Sequence, residues 1–468
     1  MNDDALLAAL GERISSLAAE LIDIRRDLHA HPELSREEVR TTQLLARRLD
    51  AAGLGVRLLP GTGLLADVGA LDAEYRVALR ADMDALPVRE RTGLDHASRM
   101  PGVCHACGHD VHVVALLGAL LALKAAEPAL VERGLAVRGI FQAAEEVIPG
   151  GAHDAITAGA LDGVDAVFAV HCDPSLDVGQ VGLREGPLTA ACDHVTVSLH
   201  GRGGHTSRPQ LTEDLTYALA KVVTDVPAAL SRRLDPRAGA ALVWGTISAG
   251  RASNVIPSTG ECQGTLRMLD AQAWLTVGPL LEEIVHAVVQ PYGVQAKVER
   301  VKGVPPVVNT VSGIEAFRLA SLAGGMHPVP TSQSLGGEDF SWYLAHTDGA
   351  MARLGTRTHG GPTFDLHQGD LIVDEDAIAL GARLLSSVAV LRRREPLLDG
   401  AAALGVSTAP KATMAPKATA APKAKTAPKA TMAPMETTTL EATTAPLATT
   451  GSMATVALEP STAPEATT

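Results

Sequence analysis

Aromatic residues are scarce: phenylalanine, tryptophan and tyrosine together make up 3% of the 468 residues. At 46% hydrophobic the chain can still bury a large core. That interior must be built mostly from alanine, leucine and valine, and the length points to more than one domain. Cysteine is sparse as well. The five present, Cys104, Cys107, Cys172, Cys192 and Cys262, are an odd number and unlike a disulfide framework. An excess of positive charge is missing too. The formal net charge is −13 at pH 7, which argues against nucleic-acid binding as the main business. No stretch is long and apolar enough to span a bilayer. Met1-Asn2-Asp3-Asp4 lacks the basic start and continuous apolar run of a signal peptide. The expectation is a soluble, cytoplasmic protein that uses neither nucleic acid nor membrane.

What is there concentrates between Val103 and His112, where two thiols, three imidazoles and a carboxylate fall within ten residues. The run from Val113 to Leu123 is apolar nearly all round, the mark of a buried helix. Asp110 sits where an N-cap belongs. Cys107 would then lie beside the positive end of the helix dipole, which lowers a thiol's pKa and favours the metal-binding thiolate. Three other readings compete. Cys104 and Cys107 could form a redox pair, but no thioredoxin-like context surrounds them. Haem attachment needs a histidine directly after the second cysteine, and Gly108 stands there. A structural zinc site would want a second close Cys or His pair, and none follows.

The first helix is expected from Asp3 to about Leu28, with Pro32 ending the segment that holds His29 and His31. Either histidine could be a ligand, although such residues are more often structural. Ser35 with Glu38 reads as the capping box of a second helix that ends at Gly53. Three strands follow, each ending in side chains fit for chemistry: Val77–Arg80 before Asp82 and Asp84, Val137–Gln142 before Glu145 and Glu146, and Asp165–Val170 before His171. Open α/β sheets place their sites at such strand ends. Adjacent strand residues point to opposite faces, so the strand must break by Glu145 if both glutamates serve one site. The alternative is a solvated acidic loop.

After Gly182 the pattern changes. Asp193–His200 alternates like a half-buried strand and Gly201–Thr206 makes a tight turn around His205. Further strands are expected over 240–247, 260–268 and 295–301, with helices over 215–230 and 271–289. This order reads as a small α+β unit inserted into an α/β domain. The predicted organisation is a catalytic domain over 1–181 and 303–396, an inserted unit over 182–302, and a tail over 397–468. In the tail Ala-Pro-Lys-Ala recurs from Pro410 to Ala430 without an apolar face, so it is expected to stay disordered.

Leu28–Glu33, Leu79–Pro87, His105–Asp110, Gln142–Glu146, Gly203–His205 and Glu338–Phe340, in that order over roughly residues 20 to 393, resemble the M20 metallopeptidase family. The nearest branch is the amidohydrolases of N-acyl amino acids, hippurate and auxin conjugates. The resemblance implies a mixed-sheet dimetal hydrolase domain with an inserted lid and dimerisation domain. It implies metal ligands at Cys107, His109, Glu146, His171 and His367, a general base at Glu145, and substrate contacts from His205 and Asn254. His205 is also implied to steady the oxyanion. Two divalent ions, Zn, Mn, Co or Ni, are implied as cofactors. Held about 3.5–4 Å apart, they would acidify a water and polarise the amide carbonyl. Asp82 or Asp84 would orient a ligand. Cys107 has a rival role as a covalent nucleophile, which would want a free histidine and no metal. The implied substrate is an N-acyl amino acid and the implied assembly a homodimer. A dipeptidase or carboxypeptidase with the same centre, or a binding protein that has lost catalysis, are the alternatives. The sequence departs from the branch at Cys104, where Met is usual, at Val111, and at Leu366-His367-Gln368-Gly369-Asp370.

Overall fold

A computed structural model describes residues 1–392. The expected tail lies outside the described residues.

The chain enters through the helix Asp3–Ala30, whose cap Asn2 accepts a hydrogen bond from the Ala5 amide. Asp3 and Asp4 in its first turn suit the positive end of the dipole. Leu6, Leu10, Ile14, Leu17, Leu21 and Leu28 recur at helical spacing and are buried, against the helices His109–Ala125 and Asp376–Leu391. Every residue from His109 to Leu123 is buried, which is why that run can be apolar on all sides. No helix among the described residues is long and apolar enough to cross a membrane.

The capping box expected at Ser35 and Glu38 does not form. The helix Val39–Ala51 has no side-chain cap. Ser35 Oγ donates to Asp84 instead, while buried Glu38 accepts from Thr62 Oγ1 and the Ala144 amide. Both side chains are drawn away to the loops at the strand ends. Gly53, at φ 76°, fills its expected place just past the helix.

Eight strands form one mixed sheet in the order Gly55–Leu58, Leu64–Gly69, Leu135–Gln142, Tyr75–Asp82, Ala166–Asp177, Asp348–Arg357, Gln180–Leu183, His327–Pro330. The four central strands run parallel. Successive residues face opposite sides, and both sides are covered. Val77, Leu79, Phe168, Val170, Ala350 and Ala352 pack under the long helices. Ala78, Ile140, Val167, Ala169 and Met351 meet Phe340 and Tyr343 on the other side. The strand Asp348–Arg357 has no counterpart in the sequence reading. Its Gly349, Ala350, Ala352 and Gly355 carry little β propensity, so only its central place in the sheet makes it a strand.

Register fixes the site. Asp82 pairs with Gln142, Arg80 pairs with Ala169, and His171 pairs with Arg353. Gln142, Asp82, His171 and Arg353 therefore stand in one row across four neighbouring strands. Arg80, just below that row, is 1% exposed. Its guanidinium donates to Gln142 Oε1 (3.0 Å), Asp82 Oδ2 (2.5 Å) and Asp339 Oδ1 (2.7 Å), and lies 3.1 Å from Glu338 Oε1.

A second, antiparallel sheet has the order Ala241–Ala249, Thr259–Met268, Ala191–His200, Gln295–Val304. The helices Leu215–Arg233 and Ala271–Val289 cover one of its faces. Its edge strand Ala241–Ala249 leaves Val243 and Ile247 exposed.

Replacing Arg80 with methionine keeps the volume but leaves three buried carboxylates without their cation. Urea titration of Arg80→Met is expected to show a loss of about 3–5 kcal/mol. A loss under about 1 kcal/mol would show that the acids do not depend on this guanidinium.

Candidate metal centre

Three departures from regular backbone shape the site. Gly108 opens the helix His109–Ala125 in the left-handed region at φ 80°, and a Cβ there would lie 2.8 Å from Cys172 Sγ. Gly108, not Asp110, therefore occupies the cap. Asp110 sits in the first turn, its carboxylate taken by Arg25 Nε (2.7 Å) and His29 Nδ1 (2.8 Å). A fully buried acid facing a buried guanidinium is held by that pairing more firmly than by a cap. The same network makes His29 structural, with Glu90 on its other nitrogen. His31 Nδ1 donates to the Asp27 carbonyl.

Ala144, at φ 56°, breaks the chain just past the strand Leu135–Gln142. The Glu38 carboxylate holds its amide at 2.8 Å, and Asp84 holds the Glu146 amide at 3.0 Å. That break brings the neighbours Glu145 and Glu146 to one place, as both would need to serve one site. His367 is the third departure, at φ 62°, with its amide donating to the Ala106 carbonyl at 2.7 Å. Strain of this kind collects at functional positions.

The tautomers follow from the partners. His109 Nδ1 donates to the Asp84 carbonyl at 2.9 Å, leaving Nε2 as the free ring atom, buried and without a hydrogen-bond partner. His171 Nδ1 donates to the Cys172 carbonyl at 2.8 Å, and its Nε2 lies 3.6 Å from Cys107 Sγ. His367 Nε2 lies 3.2 Å from Glu146 Oε1, and His109 Nε2 lies 3.8 Å from the same oxygen. Glu146 Oε1 is buried and also lacks a hydrogen-bond partner. Donor atoms of Cys107, His109 and His171 come within 4.8 Å of one another, as do those of Cys107, Glu146 and His367. The two trios share the thiol. His109, Glu145 and Glu146 form a third such group.

His112 is near but already engaged. The Cys172 amide donates to its Nε2 at 2.8 Å, so Nδ1 carries the proton that it gives Asp82 at 2.6 Å. Asp82 thus serves His112 and Arg80, and of the two aspartates it is Asp84 that sits against His109. The sequence reading gave His112 no role, although its spacing of three from His109 puts both on one helix face.

Charge in this cluster is unbalanced. Burial pushes the Cys107 thiol up to about 12, the opposite of what the helix end alone suggests, because desolvation outweighs the dipole. Burial, then Glu338, Glu146 and Asp339, hold the Glu145 carboxyl well above its usual range. Burial, then the charge of Arg353, holds His171 well below the usual imidazole range. Burial opposes protonation of His109, but Asp82 and the Cys107 sulfur lift it well above its usual value. Unpartnered buried lone pairs, a thiol kept protonated and clustered acids are what a divalent cation would satisfy. Imidazole, thiolate and carboxylate together fit first-row metals such as zinc or manganese.

His205 and Asn254 are not in this cluster. Both are exposed, beside a separate two-stranded pairing in which His205 faces Val255, and the Thr206 amide donates to the Asn254 carbonyl. His205 Nδ1 accepts from the Ser207 amide at 3.1 Å.

Residues 78–390 match the model of peptidase family M20/M25/M40. The chain is 48% identical over 369 residues to a Rhodococcus jostii (strain RHA1) protein named "Putative glutamate--cysteine ligase 2-3", covering 78% of this chain but 46% of that protein. It is 37% identical over 366 residues to N-acetyl-L-cysteine deacetylase of Bacillus subtilis (strain 168), covering 78% of this chain and 86% of the deacetylase. Among solved structures, it resembles a dinuclear metal binding peptidase from the M20 family of Bacillus subtilis with a TM-score of 0.70 and 32% identity, over 80% of this chain and 98% of that one. Its fold and these matches agree: the chain belongs to peptidase family M20/M25/M40.

Proposed function

We propose that this hydrolase cleaves the amide bond of N-acyl or N-aroyl amino acids, giving the free amino acid and a carboxylic acid. The observation that carries the reading is the pair of donor trios sharing Cys107, with Glu145 against them. On this reading Cys107, His109, Glu146, His171 and His367 hold two divalent ions, Zn, Mn, Co or Ni. Bound there, such ions polarise the amide carbonyl and acidify a water. Glu145 takes that water's proton and returns it to the leaving nitrogen. Its place beside His109 and Glu146 puts it within reach of both transfers. Asp84 keeps His109 in the tautomer whose Nε2 is free.

Residues 182–302 act as the lid, between catalytic parts at 1–181 and 303–396. The long, partly apolar edge strand Ala241–Ala249 supports a homodimer through this unit, since a free edge invites pairing with a second copy. Free cysteines suit a reducing, cytoplasmic setting. The name of the Bacillus subtilis deacetylase favours acylated amino acids as substrates, while that of the solved relative keeps a peptidase in view. A panel of N-acetyl, N-benzoyl and dipeptide substrates separates them, and preferential turnover of dipeptides would replace this reading with a dipeptidase.

Glu145→Gln is expected to lower kcat by about 10²–10⁴, with metal content by mass spectrometry matching wild type. In the same assay chelation abolishes wild-type activity and Mn²⁺, Co²⁺ or Zn²⁺ restores it. Full activity after chelation would point to Cys107 as a nucleophile. His205→Ala is expected to lower kcat by about 10²–10³, the usual loss of one oxyanion donor, without loss of metal. An unaltered kcat would remove His205 from the reaction. Ile247→Lys, on the free edge strand, should convert a dimer to monomers by sedimentation velocity. A wild-type monomer would refute the dimer.

A further inference from the structure

Arg353, in the row with Gln142, Asp82 and His171, has no part in the reaction above. Arg353 pairs in register with His171 on the neighbouring parallel strand, which sets their backbones about 4.8 Å apart. Alternation places it further. Val167 and Ala169 lie on the same face as Met351, and His171 and Arg353 each follow by two residues. Arg353 therefore rises from the sheet on the same side as His171, at the same level, one strand further out. It is half-buried, and its guanidinium donates to Ser334 Oγ at 3.1 Å. Among the described residues no carboxylate pairs with it. Its neighbours in the row differ in this respect, since Arg80 is saturated by Asp82, Glu338 and Asp339.

A half-buried guanidinium with only a neutral partner keeps most of its five donors open, in a fork that matches a carboxylate. The acids around Glu145 repel an anion from the other end of the row, so a bound carboxylate is steered to the Arg353 end. We propose that Arg353 is a specificity-determining residue that grips the α-carboxylate of the amino acid product half of the substrate. This rests on the amidohydrolase reading. It orients the substrate: the carboxylate sits beyond His171, and the scissile amide falls back over the donor trios toward Glu145. Ser334 sets the direction of the side chain.

The test compares one acyl amino acid, N-benzoylglycine, with its carboxamide on the metal-loaded protein. Wild type should favour the free carboxylate. Arg353→Met should lower the ratio of kcat/KM between the two substrates by about 10–10², the usual worth of hydrogen bonds to a charged group, chiefly through KM. Arg353→Lys should recover part of that ratio because it restores the charge without the fork. Calorimetry with N-benzylglycine, which keeps the carboxylate and has no amide to cleave, should show the same weakening in Arg353→Met. A wild-type ratio near one, or equal losses on both substrates, overturns the assignment. Wild-type protein that cleaves neither benzoyl substrate refutes the amidohydrolase reading, while the N-benzylglycine titration still decides whether Arg353 grips a carboxylate.

Discussion

Everything at the strand ends depends on one buried guanidinium. Asp82, Glu338 and Asp339 are each at most 3% exposed and would repel one another without a cation among them. Arg80 supplies it with three directed contacts, and Gln142 bridges the same group through its amide to Asp339 at 2.8 Å. Even so the balance is incomplete. Burial and the neighbouring Glu338 push Asp339 up to about 7 despite Arg80, and Glu145 is pushed up as well. Stability alone would favour replacing such a set with apolar residues. A set kept this acidic makes sense where further positive charge is to be bound.

The geometry of the donors points the same way. Backbone carbonyls of Asp84 and Cys172 each take one imidazole proton, so His109 and His171 turn their other nitrogens into the cluster, free to meet a cation. A redox or nucleophilic cysteine needs an accessible, easily ionised thiol. Cys107 is buried and resists ionisation, so only a cation at the sulfur makes the thiolate favourable. Cys104 is likewise held at about 11 by burial, which leaves the Cys104/Cys107 pair poorly suited to redox chemistry.

Much of this was legible in the sequence, for local reasons. A polar residue ending an apolar run marks a strand end, and Asp82 was found that way, with Glu145 three residues past the end of its strand; at His171 the rule fails, because the strand runs on to Asp177. The break at Ala144 followed from the demand that two adjacent glutamates share a site. What stayed hidden depends on partners far along the chain. Asp110 looks like a cap until Arg25, 85 residues earlier, claims it. The thiol's raised pKa reverses a local rule because burial is a property of the whole fold. Arg353 carries no signal of its own: it lies in a strand poor in β formers, and its meaning comes from register with His171. Glu338 and Asp339 were visible as a motif, but their pairing with Arg80 joins residues more than 250 positions apart.

The separation between the strand-end cluster and the His205–Asn254 turn has a physical logic on the proposed reading. The donors need positions fixed to fractions of an ångström, and the strand carrying His171, the buried helix start at Cys107 and His109, and the pinned backbone at Ala144 and His367 provide that. A donor to the transition state has a different requirement, because it must leave for product to escape. His205 is exposed on a short two-residue pairing beside a glycine-rich turn, tied to a sheet with its own core rather than to the catalytic strands. Placing it on that second unit lets closure complete the site and opening release the amino acid. Arg353, on the rigid row, can then hold the carboxylate through the cycle while only the oxyanion side moves.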